Sequence, residues 1–164
     1  MSSTTETALM SLLAPLSGQA VPLEQVPDDV FSQKILGDGI AIIPADGKLY
    51  APVDGEIASI AETLHAYGFT SENGMEILVH VGLDSVALKG EGFKSHVQLG
   101  DKVKKGQLIA EVDLKFLESK GVPTITPVLI CEGAEHLKMN TVTGNVKAGK
   151  DTVITLGEET EAEA

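Results

Sequence analysis

One cysteine, Cys131, stands among 164 residues, so no disulfide can form within the chain and packing and hydrogen bonds must hold the fold. A lone thiol suits a reducing cytosol, and Cys131 itself reads as a small buried hydrophobe. Tryptophan is absent and aromatics make up only 4% of the chain. Basic residues number 12 against 24 acidic ones, a formal charge of -12. That balance argues against a nucleic-acid partner and an anionic membrane surface, and favours a partner protein carrying basic residues. No apolar run reaches the roughly eighteen residues of a spanning helix. The opening MSSTTETALM lacks the basic flank and long apolar core of a signal peptide. The expectation is a cytoplasmic chain without membrane insertion.

Seventeen glycines, seven prolines and 43% hydrophobic residues, arranged as short Val/Ile/Leu runs between Gly and Asp-Gly turn signals, predict an all-β protein with one core. No long helical periodicity is present. Asp46-Gly47 and Asp54-Gly55 punctuate GIAIIPADGKLYAPVDGEIASIAE. Further strands are expected at 107–113, 126–131, 142–147 and 152–156. LKFLESKG reads as the one short helical piece, ended by Gly121 with Pro123 beyond. The polar SSTTET and acidic GEETEAEA ends predict tails over 1–11 and 158–164 around a body of 12–157. The architecture expected is an antiparallel β-sandwich or distorted barrel.

The run MEILVHVGLD carries a histidine, His80, in the middle of a strand-like stretch. A lone strand histidine is ordinarily a satisfied, half-buried one, so its neighbours decide. Upstream, Asn73-Gly74 separates two alternating runs, a strong hairpin signal. With a two-residue type I′ turn, Ser71 faces Glu76, Phe69 faces Leu78, Tyr67 faces His80, His65 faces Gly82 and Thr63 faces Asp84. These ten residues would share the outer face. Leu64, Ala66, Thr70, Ile77, Val79, Val81 and Leu83 would form the core face. His65 and His80 become diagonal neighbours roughly 7 Å apart, with Thr63 close enough to touch the His65 ring.

Such a face admits three chemistries. A hydrolytic triad needs a nucleophile beside the base, but Ser85 alternates to the core side and Cys131 has no evident histidine. A catalytic zinc needs about three protein ligands, which His65, His80 and Asp84 could supply. The third chemistry uses one imidazole as a nucleophile carrying a phosphoryl group while the other donates a hydrogen bond to its oxygens. It asks for alignment and charge stabilisation more than for covalent machinery. Exposed Leu78 and Phe69 beside it would suit docking of a protein donor.

The segments VPDDVFSQKILGDGIAIIP, KLYAPVDGEI, TLHA, EILVHVGLDSVALKGEGF, GDKVKKGQLIAEVDL and TPVLI closely resemble, in order and spacing, the glucose-family enzyme IIA of the bacterial phosphoenolpyruvate-dependent sugar phosphotransferase system. The resemblance implies an antiparallel β-sandwich (a duplicated hybrid motif) in which Nε2 of His80 accepts phosphate from the phosphocarrier HPr. His80 then passes it to a cysteine on the IIB domain of a sugar permease. It implies that His65 steadies the phosphoryl group and that Thr63 orients His65. It also implies a docking face of Asp28, Val30, Phe31, Leu36, Leu78, Asp84 and Val86.

No cofactor is expected beyond the covalent phosphohistidine. A zinc ion at His65 and His80 is expected only in company with a regulatory partner. Ala61, Thr70 and Ala87 depart from relatives that carry a large aromatic residue or acids there, which leaves such regulatory partners open. SSTTETALMSLL has no Lys or Arg, unlike the membrane-touching tail of some relatives.

Rivals on related folds fare less well. A lysostaphin-like zinc peptidase lacks its H-x-H pair, and a lipoyl- or biotinyl-carrying module would need a better lysine than Lys138. A non-catalytic sensor of the same fold would use the same surface. His96 and His136 read as solvated surface, and Asp38 as a turn residue.

Overall fold

The computed structural model describes residues 8–134 and 137–158. Fourteen strands run in chain order: β1 (Ala8–Leu13), β2 (Gly18–Pro22), β3 (Asp38–Pro44), β4 (Lys48–Tyr50), β5 (Gly55–Ile60), β6 (Ala66–Ser71), β7 (Glu76–His80), β8 (Phe93–Ser95), β9 (Lys102–Val103), β10 (Leu108–Val112), β11 (Thr126–Glu132), β12 (Leu137–Thr141), β13 (Gly144–Val146) and β14 (Thr152–Glu158). Two short helices, α1 (Asp29–Ser32) and α2 (Leu114–Ser119), and two 3-10 turns complete the fold.

An eight-stranded sheet in the order β13-β2-β3-β11-β7-β6-β5-β9 packs with two three-stranded sheets, β1-β14-β12 and β4-β10-β8. Every ladder in the large sheet is antiparallel. This is the expected all-β sandwich. The first strand departs from the expected boundary at residue 12. β1 starts at Ala8 and pairs with β14, because a short alternating run finds a ladder partner that its sequence alone does not display. His136 and the extreme ends lie outside the described residues.

The main core fills the space between the sheets, with Ile40, Ile57, Tyr67, Phe69, Ile77, Val79, Val128 and Ile154 all buried. The large sheet is covered on its other face too. Val21, Ala41 and Leu129 from β2, β3 and β11 form a second small core with Leu23, Val26, Phe31 and Leu83, and Leu78 packs against it. The segment that provides this cover runs from the 3-10 turn at Leu23–Gln25 into α1. Asp28 starts α1 by accepting a hydrogen bond from the Val30 N–H at 3.0 Å, as capping chemistry requires. With apolar cover on both sides, β11 reads as the continuous run TPVLICE rather than an alternating one. Cys131, in that strand, is half-buried against the second cluster rather than fully interior, and burial pushes its thiol pKa up.

The β6–β7 hairpin corrects the expected register. Thr70 pairs with Glu76, Phe69 with Ile77, Tyr67 with Val79 and Ala66 with His80, one residue away from the two-residue-turn alignment. Asn73-Gly74 lies in a longer loop. The Gly74 N–H donates to Ser71 O and the Ser71 N–H donates to Met75 O, both at 2.9 Å. Only Gly74 there has a positive φ, at +87°, whereas a type I′ turn needs two such residues. The Ser71 hydroxyl, accepting from the Met75 N–H at 3.0 Å and donating to Asn73 Oδ1 at 2.5 Å, holds the wider loop. The slip exchanges faces on β6, as strand geometry demands. Tyr67 and Phe69 enter the core at 1% and 0% exposure, while Ala66 and Thr70 move to the outer side with His80.

Of the expected short strands, 107–113, 126–131 and 152–156 correspond to β10, β11 and β14, and 142–147 corresponds to the shorter β13, with residues 142 and 143 lying between it and β12. The helix expected over LKFLESKG is α2, capped by Asp113, whose side chain accepts from the Phe116 N–H.

The corrected register makes a stability prediction. Phe69→Ala should lower the unfolding free energy by about 3–5 kcal/mol through the cavity it leaves. Thr70→Ala should cost about 0.5 kcal/mol or less, as a half-exposed site does. Urea unfolding of the two variants checks this, and similar midpoints for both would contradict the register.

Candidate functional site

His80 is the last residue of β7. The β7–β11 ladder runs as far as Val79 paired with Val128, and the next residue of β11 is Pro127, which has no N–H to donate. Beyond His80 the chain turns sharply. Gly82 has φ +77°, and a Cβ there would lie 2.8 Å from Pro123 O and 3.2 Å from Ser85 Oγ, so glycine alone fits. The Leu83 N–H donates to Pro123 O at 3.0 Å, and the Ser85 hydroxyl donates to Val81 O. This braced loop presents the Gly82 carbonyl to Nδ1 of His80 at 2.8 Å. A carbonyl oxygen can only accept, so Nδ1 carries the proton and Nε2 of the neutral ring keeps its lone pair.

His65 reaches the site by a different route from the expected one. It lies just outside β6, and alternation from Ala66 would send residue 65 to the core side. The strand ends instead. The Leu64 N–H donates to Ala61 O at 2.8 Å, and Leu64 takes a left-handed conformation with φ +61°. The main chain remains tied to the strand end through Val81 N–H donating to His65 O at 2.7 Å. His65 is buried at 8% exposure, and its ring meets that of His80 edge-on, with centroids 4.8 Å apart and planes at 80°. Thr63 Oγ1 lies 2.6 Å from Nδ1 of His65. With the hydroxyl donating, the His65 proton sits on Nε2 and is free to be donated.

The third ring at the site is Phe31. Its centroid lies 5.1 Å from that of His80 at 54°, and the residue is 5% exposed. Phe31 is thus a wall beside the histidine rather than an open docking residue, because the second core draws it inward. Leu78 is likewise half-buried. Asp28, Val30, Leu36, Asp84 and Val86 do come together with Phe31 and both histidines around one cleft of 290 Å³. Val30, Leu36 and Val86 are 41%, 44% and 56% exposed. Ile35, which sequence reasoning passed over, is 66% exposed on the same segment.

The roles of Gly82 and Leu64 were also missed. The two-residue-turn alignment gives Gly82 no part beyond facing His65, whereas it supplies an acceptor for His80. A glycine immediately after a strand was the available signal. Asp84, like Leu64, is left-handed, with φ +61°, and such outliers gather at functional sites.

Both imidazoles are held below the ordinary histidine value of 6.5. For His65 burial is the larger cause and the neighbouring His80 ring the smaller. For His80 burial outweighs the Gly82 carbonyl, Asp28, its own backbone and Asp84, all of which favour the imidazolium. Both rings are therefore neutral at pH 7. Among the described residues no three His, Cys, Asp or Glu side chains gather as a metal centre. Away from the cleft, His96 Nε2 lies 2.6 Å from Glu111 Oε2 on an exposed surface. Asp38 accepts from the Gly39 N–H at 2.8 Å and approaches Lys34 at 3.5 Å.

Residues 10–136 match the family model for the phosphoenolpyruvate-dependent sugar phosphotransferase system, EIIA 1. This chain belongs to that family. Among relatives, the PTS system glucose-specific EIIA component of Buchnera aphidicola is 45% identical over 145 residues, covering 88% of this chain and 90% of that protein. The glucose-specific EIICBA component of Staphylococcus saprophyticus is 47% identical over 121 residues, covering 74% of this chain, which spans only 18% of that longer protein. The solved glucose permease IIA of Mycoplasma capricolum superposes with a TM-score of 0.82 at 38% identity, covering 89% of this chain and 94% of that one. The EIIA β-sandwich and a part in sugar phosphotransfer follow from membership. No helix among the described residues is long and apolar enough to cross a membrane.

The two depressed histidines predict a pH effect of definite sign. Between their folded values and 6.5 the unfolded chain binds protons that the folded EIIA domain does not, so stability falls as pH drops through that window. Urea unfolding at about pH 7.5 and about pH 5.5 should show the loss, and His65→Gln should reduce it. NMR titration of either ring above 6.5 would remove that ring's contribution.

Proposed function

We propose that this EIIA domain is a phosphocarrier whose His80 accepts a phosphoryl group from phospho-HPr and passes it to the cysteine of a IIB domain of a glucose-family sugar permease. The reading rests on one observation: the 2.8 Å contact between His80 Nδ1 and the Gly82 carbonyl, which leaves Nε2 as the free nucleophile. In the first step the Nε2 lone pair forms a bond to phosphorus as the donor's N–P bond breaks, its electron pair returning to the donor imidazole. The Nδ1 proton stays on His80 throughout. In the second step a thiolate attacks phosphorus and the electron pair of the N–P bond returns to Nε2. Neither step changes an oxidation state.

His65, with Nδ1 engaged by Thr63, turns an Nε2–H towards the phosphoryl oxygens, where a prealigned donor stabilises transferring charge. Because both rings are neutral at pH 7, the nucleophile needs no separate base. Val30, Leu36 and Val86 offer an apolar platform, and Asp28 and Asp84 an acidic rim, which together suit partners with basic residues around an apolar centre. A cytoplasmic setting follows from such partners.

Incubation with phosphoenolpyruvate, enzyme I and HPr should add one acid-labile phosphoryl mass, localised to His80. His80→Gln should abolish it. His65→Gln should still accept from HPr but transfer onward at least tenfold more slowly, as loss of a transition-state donor implies. Normal labelling of His80→Gln would end this assignment.

A further inference from the structure

The cleft that holds His80 and His65 is also lined by Asp28 and Asp84, and by no Lys or Arg. The Asp28 carboxylate is fixed by the backbone, and Asp84 is placed at the cleft by its main chain, its side chain making no capping hydrogen bond. Asp28 is held as the α1 cap by its bond to the Val30 N–H, and Asp84 stands in a left-handed conformation at the start of the 3-10 turn Ser85–Leu88. A neutral imidazole tolerates these neighbours without cost. A phosphohistidine does not, since it brings close to two negative charges into a partly desolvated cleft already carrying two more. Among the described residues that line the cleft the compensating group is a neutral His65 N–H rather than a cation.

Building on the phosphocarrier reading, we propose that Asp28 and Asp84 act on the phosphoryl group itself, raising the transfer potential of phospho-His80 by charge repulsion as well as guiding partners. The chemistry is the same N–P bond exchange, with the carboxylates destabilising the phosphorylated product and favouring its discharge to an acceptor. A cation reaching the cleft from a partner would relieve the repulsion only while the complex lasts.

Docking and transfer potential can be separated cleanly. A contact made only in the complex alters how fast phosphate moves between the two proteins. It leaves unchanged the equilibrium constant between the separated species, which depends only on the free phosphorylated and unphosphorylated forms. Asp28→Asn keeps a capping oxygen, and Asp84→Asn keeps a residue tolerant of the left-handed region, so both substitutions remove charge with little else.

The experiment equilibrates each variant with phospho-HPr and HPr and reads both phosphorylated fractions by intact mass. Each single variant should shift the equilibrium roughly threefold towards the phosphorylated form, and the double variant about tenfold. Added salt should raise the wild-type constant more than that of the double variant, the donor's own salt response being common to both. Glu56→Gln, which lines no part of this cleft, should leave the constant where it was. An unmoved constant in the double variant, with only the rate of approach to equilibrium altered, would overturn the proposal and reduce the carboxylates to docking groups. A wild-type chain that takes no phosphate on His80 would remove the phosphocarrier reading, and this proposal with it.

Discussion

The site depends on a single hydrogen bond between an imidazole N–H and a main-chain carbonyl, that of His80 with Gly82. It fixes the tautomer and the orientation of the ring and leaves Nε2 open, and much of the surrounding structure serves to keep that carbonyl in place. Gly82 must be glycine because its φ is positive and Pro123 crowds its α-carbon. The loop is tied to Pro123 by Leu83 and to the strand end by Ser85. A main-chain oxygen thus does for His80 what such groups do for metal-bound histidines, choosing which nitrogen is offered.

Around that bond, burial and charge pull in opposite directions. Phe31 and the neighbouring His65 ring reduce the contact of His80 with water, which favours the neutral ring. The nearby carboxylates favour the cation, and burial is the stronger influence on the ring. The second small core matters here because it draws Phe31 inward. It links a surface loop of residues 22–37 to the electronic state of a side chain on β7.

Much of the fold was legible because β-structure writes itself in short apolar runs and in Gly and Asp-Gly punctuation, and β3, β10, β11 and β14 followed those signals. The pairing of His65 with His80 was also legible, but for the wrong physical reason. The Asn73-Gly74 dipeptide suggested a two-residue turn, and Ser71, by bonding across the loop, stabilises a longer one. That slip placed Tyr67 and Phe69 on the wrong face. A second departure from regularity, the left-handed Leu64, returned His65 to the site. Two local irregularities therefore produced the juxtaposition that a regular ladder had predicted. The family resemblance implies Phe31 as a docking residue, and only the tertiary packing of the second core, which includes Leu129 and Ala41, shows where the ring goes. The cap at Asp28 could have been read from D-D-V-F, but four residues of helix leave too weak a periodic signal.

His80 belongs to the last rung of a strand buried on its inner face and half-covered on its outer one, and the loop after it is tied by Leu83 to Pro123 and by Ser85 to Val81. Such a mounting leaves little room for the backbone to answer events at Nε2. A charge gained on such a site need not change its shape to be felt. What it alters is the strength of the field at the mouth of the cleft, so a partner that senses charge can tell one state from the other on that surface.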